Sequence, residues 1–359
     1  MKRVILTLVL VGICSMSMAQ FPPVTIPGSH VRKIHSDIVS QDYELHILLP
    51  GGYEKSTKQY PVVYLMDAQW DFPLVKSIYG QQYYDGFIPE LIVVGVTWGG
   101  IKPNPDSLRL RDYTPTNDGR ASQGGQADKF LDFMKKELFP FIESNYRAGS
   151  TDRILMGCSL GGLFTLYTLF TQPELFSGYV AASPAVGWNN EVLYKYEKRF
   201  AAMKLFRPVK VFFTVGDVER SRPVYQKFSQ KLLKSNASAT VHSRILENTG
   251  HSGTKSETYT RGLQFVFQKP KLDLPPAILN RYTGKYNAGP GNVAEIKNEK
   301  GRLVLYADDG ERIELFAAGE NEFYTTSQFL NIVFKLNGSK VEGAQVNMYG
   351  ASRFVDKIE

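Results

Sequence analysis

Three side chains of the types that acyl transfer needs stand far apart in this sequence. Ser159 lies in "GCSLG" (157–161), which matches the G-x-S-x-G pattern of a nucleophile held on a tight turn. A serine hydroxyl attacks a carbonyl effectively only when a base takes its proton. In the scaffold that carries this turn, the order along the chain is serine, acid, histidine. Of five histidines, His242 and His251 follow Ser159. His242 falls within "TVHSRILEN", whose composition predicts a strand and a role in the sheet. His251 sits in "ENTGHSG", a loop directly after that strand, where an imidazole is free to reach a serine. Between serine and histidine, "VFFTVGDVER" offers Asp217 and Glu219. One of them is expected to hold the imidazole in its working tautomer and to stabilise its charged form. Spacing alone does not choose between the two.

The serine turn needs small neighbours because larger side chains would collide in it. It also leaves the Leu160 N–H at a helix start, where negative charge is favoured. A second oxyanion donor is expected from the loop after an early strand. In "YLMDAQWDF" (64–72) that is the amide of Ala68 or Gln69, with Asp67 expected to cap the next helix.

These residues require a sheet to carry them. "YPVVYLMD" (60–67) and "ELIVVGVTW" (90–98) are short continuous apolar runs of the kind buried on both faces. "DRILMG", "GYVAASP" (178–184), "VKVFFTVG" (209–216) and 240–248 read as further strands. Helical patterns fall between them: Phe130, Phe133, Met134 and Leu138 at helical spacing, then "LGGLFTLYTLF", then segments near 190–205, 223–235 and 254–267. Alternation of this kind predicts a mostly parallel sheet covered on both sides, with an antiparallel pair over about 31–50 at its start. The stretch 269–280, with several prolines, reads as a linker. Residues 281–359 read as a small antiparallel β domain of short strands separated by Gly, Asn and Asp.

Composition excludes several classes. The 359 residues carry a formal charge of +7, with 43% hydrophobic and 21% charged residues, ordinary for a globular chain. "MKRVILTLVLVGICSMSMAQ" has the form of a secretory leader, with cleavage expected after Ala19 and delivery to the periplasm or beyond the cell. Its apolar stretch is too short to span a bilayer, so no stable membrane insertion is expected after cleavage. Ile13 fits poorly with lipid attachment at Cys14. Cleavage leaves Cys158 as the single cysteine, which rules out an internal disulfide. There is no basic run of the nucleic-acid type, no H-E-x-x-H, no C-x-x-C and no phosphate-binding glycine loop. Neither a metal nor another cofactor is expected.

Taken in order, "VVYLMDAQWDF", "RLRDYTPT", "FLDFMKKELFPFIESNYR", "RILMGCSLGGLFTLYTLF", "FSGYVAASPAVGWNN" and "TGHSG" resemble the putative esterase family of α/β-hydrolases, over roughly residues 30–268. That family includes siderophore trilactone esterases, feruloyl and acetyl-xylan esterases, S-formylglutathione hydrolases and mycolyl transferases. The resemblance implies an α/β-hydrolase domain over 20–268 and a serine carboxylesterase activity, with Ser159 as nucleophile and His251 as base. It selects Glu219 over Asp217 as the acid. It also implies that Trp188 lies near the substrate cleft, and that Arg109, Arg111 and Asp112 belong to a loop framing it; Arg111 and Asp67 are the candidates for substrate contact. Ala68 departs from the glycine common at its position, and Cys158 from the usual histidine, arginine or alanine. "LNRYTGKYN" is similar to small β-barrel modules found after bacterial hydrolase domains. The expected partner is a small-molecule or glycan-linked ester. The rival readings are an acyltransferase on the same fold, in which an alcohol replaces water, and an inactive scaffold used for binding.

Overall fold

A computed structural model describes residues 25–120, 122–235, 238–325 and 330–359. The leader at 1–19 and Cys14 lie outside the described residues.

Runs rich in Val, Ile and Leu form the central sheet: β1 (Ser29–Ser36), β2 (Gln41–Leu48), β3 (Tyr60–Leu65), β4 (Ile92–Trp98), β5 (Ala148–Cys158), β6 (Gly178–Ala182), β7 (Val209–Gly216) and β8 (Ala239–Leu246). Their order across the sheet is β1-β2-β4-β3-β5-β6-β7-β8. β1 and β2 are antiparallel to each other, and β2 is antiparallel to β4. From β4 to β8 every pairing is parallel.

Successive side chains of a strand point to opposite faces. Val62 and Tyr64 therefore enter one apolar cluster while Val63 and Leu65 enter another. The helices that cover the faces are α1 (Ala68–Tyr84), α2 (Pro105–Tyr113), α3 (Ala127–Phe133), α4 (Phe139–Asn145), α5 (Leu160–Thr171), the short α6 (Trp188–Glu191), α7 (Leu193–Phe200), α8 (Arg222–Leu232) and α9 (Thr254–Val266). A π turn at Met134–Leu138 joins α3 to α4. Phe164 and Leu166 of α5 pack in the first cluster; Phe72 and Val75 of α1 and Tyr259 and Leu263 of α9 pack in the second.

Register decides where the functional residues go. Leu65 lies opposite Met156, Cys158 opposite Ala182, Ala182 opposite Thr214, and Gly216 opposite Leu246. The residues just beyond these ends are Asp67–Ala68, Ser159, Ser183, Asp217–Glu219 and the loop to His251. They form a row along the carboxyl edge of the sheet, where ligands of open α/β sheets bind.

The segment read as a linker, 269–280, makes contacts with the C-terminal β domain. Leu272 bridges to Ala317, Lys269 pairs with Glu322, and Pro276–Leu279 forms a helical turn (α10). The β domain is a meander in sequence order: β9 (Gly284–Gly289), β10 (Asn292–Glu299), β11 (Arg302–Tyr306), β12 (Arg312–Ala317), β13 (Glu322–Tyr324), β14 (Leu330–Asn337), β15 (Lys340–Met348) and β16 (Ala351–Asp356). It closes on itself where Tyr286 bridges to Lys357 and the Ile358 N–H donates to the Lys285 carbonyl at 2.8 Å. At one end the interior is plugged by Tyr282, stacked on Phe334 at 4.4 Å. Toward the other end, small residues such as Ala294 and Ala344 leave a hollow of about 280 Å³.

Candidate active site

Ser159 is the single residue between β5 and α5, with φ 58° and ψ −115°. That lies outside the regions open to an L-residue without strain and persists only when neighbours over-determine it. Here the Ser159 N–H donates to the Ala182 carbonyl at 3.0 Å, and its own carbonyl accepts from Leu163 N at 2.9 Å and Ala185 N at 3.1 Å. The glycines supply the space. A Cβ on Gly157 would stand 2.5 Å from the Gly161 carbonyl carbon, and one on Gly162 would stand 3.0 Å from Pro184 Cα. The hydroxyl is thus placed at the sheet edge, with the first turn of α5 beneath it. Cys158 points into the core, where burial pushes its thiol up to about 12, so it is no rival nucleophile at neutral pH.

Glu219, rather than Asp217, meets the imidazole: His251 Nδ1 lies 2.7 Å from Glu219 Oε2. Three further donors hold this carboxylate. Ser183 Oγ and the Gly216 N–H reach Oε1 at 2.5 and 2.8 Å, and Ser221 Oγ reaches Oε2 at 3.2 Å. Burial alone would raise the carboxyl, but the hydrogen bonds from Ser183, His251 and Gly216 outweigh it and hold Glu219 below its usual range. Asp217 turns instead to its own loop, where its Oδ1 accepts from the Thr249 N–H at 3.1 Å. With Nδ1 on the carboxylate, the other ring nitrogen, Nε2, is left to face a substrate or a hydroxyl. The ring's described hydrogen bond is the one to Glu219; Ser159 and His251 share the sheet edge without one joining them. The imidazole side chain is half exposed, in an open hollow of about 480 Å³ walled by Ser183, Ala185, Val218 and Arg220.

The loop after β3 places Asp67, Ala68 and Gln69 against the serine turn. Met66 N donates to the Met156 carbonyl at 2.9 Å, and a Cβ on Gly161 would meet Asp67 Oδ2 and Met66 Cβ at 3.2 Å. The N-termini of α1 and α5 therefore lie side by side, with the Ala68, Gln69 and Leu160 amides in their first turns. Both polar side-chain atoms of Gln69 are shielded from solvent and without a hydrogen-bond partner among the described residues. Asp67 occupies the cap position of α1 in the left-handed region, φ 58°, but its side chain caps nothing. It takes a two-pronged ion pair from Arg109, Nε at 2.8 Å and Nη2 at 3.0 Å. Burial pushes the Asp67 carboxyl up to about 6, even against the pull of Arg109.

Arg111, a candidate for substrate contact, and Trp188, expected near the cleft, are both buried and engaged by other residues of the chain. Arg111 is buried and engaged by Asp112, Nε at 2.6 Å and Nη2 at 3.0 Å, and by Gln41 Oε1 at 3.2 Å. Two residues apart on α2, Arg109 and Arg111 leave opposite sides of the helix, which is why only Arg109 reaches the β3 loop. Asp112 is wholly buried, and Tyr43 OH and Trp98 Nε1 complete its shell at 2.8 and 2.7 Å. Trp188 is only 5% exposed; its Nε1 donates to the Thr116 carbonyl at 3.1 Å, and the Arg120 guanidinium covers its ring at 4.4 Å. It fastens the 116–120 loop and presents no open face to a cleft. His242 stacks on Phe212 within β8 and β7, with centroids 5.4 Å apart. Sequence reasoning missed Ser183 and Thr254, since a hydroxyl after β6 and another opening α9 carry no motif. Among the described residues no group of three or more His, Cys, Asp or Glu is placed to hold a metal ion.

A strand-turn-helix serine, an acid-held imidazole from a later loop and two adjoining helix starts on a parallel sheet define the α/β-hydrolase class. Residues 36–289 match the family model described as "Putative esterase", and the chain belongs to that family; the match and the esterases among its relatives support ester hydrolysis. It is 31% identical over 211 residues to the ferri-bacillibactin esterase BesA of Bacillus subtilis, covering 55% of this chain and 72% of that one. To the siderophore triacetylfusarinine C esterase of Aspergillus fumigatus it is 29% identical over 189 residues, 51% of this chain and 64% of the relative. The crystal structure of the BES protein from Bacillus cereus superposes with a TM-score of 0.62 at 26% identity, covering 69% of this chain and 97% of that one.

Proposed function

We propose that the chain is an exported serine carboxylesterase that works through Ser159, His251 and Glu219 by way of an acyl-enzyme. The observation that carries this reading is the 2.7 Å contact of His251 Nδ1 with Glu219 Oε2, on the sheet edge that also holds Ser159 in its strained turn. Glu219 fixes the ring so that Nε2 is the basic nitrogen. When an ester enters, Nε2 takes the Ser159 proton as Oγ attacks the carbonyl carbon. The oxyanion is received by the Leu160 amide and by that of Ala68 or Gln69. The imidazolium then protonates the departing alcohol. In the second half His251 takes a proton from water, hydroxide adds to the acyl-enzyme, and the acid leaves as Ser159 recovers its proton. Contacts between nucleophile and base are often long in a free enzyme and tighten around substrate.

The half-exposed imidazole supports water as the second nucleophile over an alcohol acceptor. The expected substrates are siderophore esters, in line with the activities named for the relatives. The leader read from the sequence supports delivery to the periplasm or the medium.

Replacing Ser159 by Ala is the test. Hydrolysis of p-nitrophenyl acetate and of ferric and iron-free catecholate trilactones should fall to the uncatalysed rate while circular dichroism stays unchanged. Turnover persisting in Ser159→Ala refutes the serine mechanism. Normal aryl-ester turnover with inert trilactones leaves an esterase of other substrates.

A further inference from the structure

We infer that Ser183, with Thr254 behind it, is a positioning residue for the reaction, setting the carboxylate that aims His251. This rests on the reading of Ser159, His251 and Glu219 as the catalytic groups.

Ser183 comes directly after β6 and is 3% exposed. Its backbone stands at φ 39°, a conformation unfavourable for a residue with a Cβ. Two interactions hold it there. The Ser183 N–H donates to the Thr214 carbonyl at 2.9 Å, and Oγ donates to Glu219 Oε1 at 2.5 Å. The strain is consistent with a hydroxyl held for its direction, since Ser183 Oγ is the side-chain donor to Oε1, the oxygen it shares with the Gly216 N–H, while Oε2 is left to His251 and Ser221.

Thr254 Oγ1 lies 2.9 Å from Ser183 Oγ and 2.7 Å from the His251 carbonyl. An ionised Glu219 has no hydrogen to give, so the Ser183 proton goes to it. The single Thr254 proton then serves either the His251 carbonyl or Ser183. One buried threonine thus touches both halves of the acid-imidazole pair: the hydroxyl that orients the carboxylate and the backbone that carries the ring. Thr254 is itself anchored, because its carbonyl accepts from Thr258 Oγ1 at 2.5 Å and Thr258 Oγ1 lies 2.5 Å from Thr214 Oγ1. All four hydroxyl residues are buried. They form a path from β6 and β7 into α9, along which the position of the base is fixed by the sheet.

The test uses the full chain and compares Ser183→Ala, Ser183→Gly, Thr254→Val and Thr254→Ser with Glu219→Gln and Ser159→Ala. Losing a hydrogen bond to a charged group should lower kcat about 10- to 100-fold in Ser183→Ala, with KM changed less than about twofold. Ser183→Gly removes the same hydroxyl while relaxing the backbone, and should lose as much; it also keeps the test open if Ser183→Ala folds poorly. Thr254→Ser keeps its hydroxyl and should retain near-normal kcat, whereas Thr254→Val should not. In a Glu219→Gln background, Ser183→Ala should change kcat by less than about twofold, because its effect passes through the carboxylate.

A Ser183→Ala enzyme with normal kcat, beside inactive Ser159→Ala and crippled Glu219→Gln, overturns this inference and leaves the catalytic reading standing. So does a loss that multiplies in full with Glu219→Gln. Normal kcat in Ser159→Ala or Glu219→Gln overturns the catalytic reading, and this inference with it.

Discussion

Gly157→Ala should disable the enzyme although residue 157 takes no part in the chemistry. An added Cβ would stand 2.5 Å from the Gly161 carbonyl carbon, 2.6 Å from its oxygen and 3.0 Å from its Cα. Carbon atoms rest at about 3.5 Å, so the shortfall is roughly 1 Å. All three obstructing atoms are backbone, so no rotamer relieves it. β5 and α5 must part, carrying Ser159 and the Leu160 amide with them. A displacement of about 1 Å at the reacting atoms costs on the order of 100-fold in rate. Overpacking also costs about 1–3 kcal/mol, which in a domain of this size lowers Tm by about 2–12 °C. Stopped-flow hydrolysis of p-nitrophenyl acetate and differential scanning fluorimetry measure the two effects. Two neighbours grade the response. Gly161→Ala meets a carboxylate oxygen and a side-chain carbon at 3.2 Å and should lose less. Gly187→Ala, whose Cβ would find only Val224 Cγ1 at 3.8 Å, should behave as wild type. A Gly157→Ala enzyme with kcat/KM within about twofold of wild type and an unchanged Tm would refute the account of the turn.

Other expectations concern the acid, the buried ion pair and the barrel. Glu219→Gln should lower kcat/KM by about 100-fold or more, whereas Asp217→Asn should change it by less than about threefold; steady-state kinetics on one aryl ester would expose the reverse ranking. Asp67, raised to about 6 by burial, holds a proton in the folded chain at pH values where the unfolded chain has released it. Its contribution to stability is therefore greatest below the ordinary aspartate range and declines as pH rises to about 6. Urea midpoints at pH 4.5 and 7 should differ more in wild type than in Asp67→Asn; an equal difference would count against the burial effect. Ala344→Val, placed against the barrel hollow, should stabilise by about 0.5–1 kcal/mol, seen as a higher urea midpoint for the barrel transition; destabilisation would mean that the walls already touch.

Much of this arrangement is legible in the letters because local and global signals agree. The continuous apolar runs at 60–65 and 92–98 can be satisfied only by burial on both faces, so they announce central strands before any partner is known. The glycines around Ser159 are equally legible, since a turn with backbone atoms in contact tolerates little else. Choosing between Asp217 and Glu219 is harder. Both come within three residues of the end of β7, and the choice depends on how the 217–219 turn folds, with Asp217 tied to Thr249 and Glu219 turned to His251. The arginines of α2 show another limit. Sequence places both near the site, but the helical twist sends Arg109 to Asp67 and buries Arg111 on Asp112. Trp188 shows a third: an aromatic ring near a site is as readily a fastener as a contact, and its partner Thr116 is more than seventy positions away. Ser183 and Thr254 could not be read at all, because lone hydroxyls acquire meaning only through what the fold sets beside them.

The barrel's seam runs through residues 357–359. Glu359 accepts from the Lys285 N–H at 3.1 Å and pairs with Lys285 Nζ at 2.6 Å, while a Cβ on Gly284 would stand 2.0 Å from the Glu359 carbonyl oxygen. Removing residues 357–359 is expected to loosen β9 from β16 and to bare two strand edges that invite other chains to pair with them. Protein lacking these residues is expected to run as soluble aggregates on a sizing column.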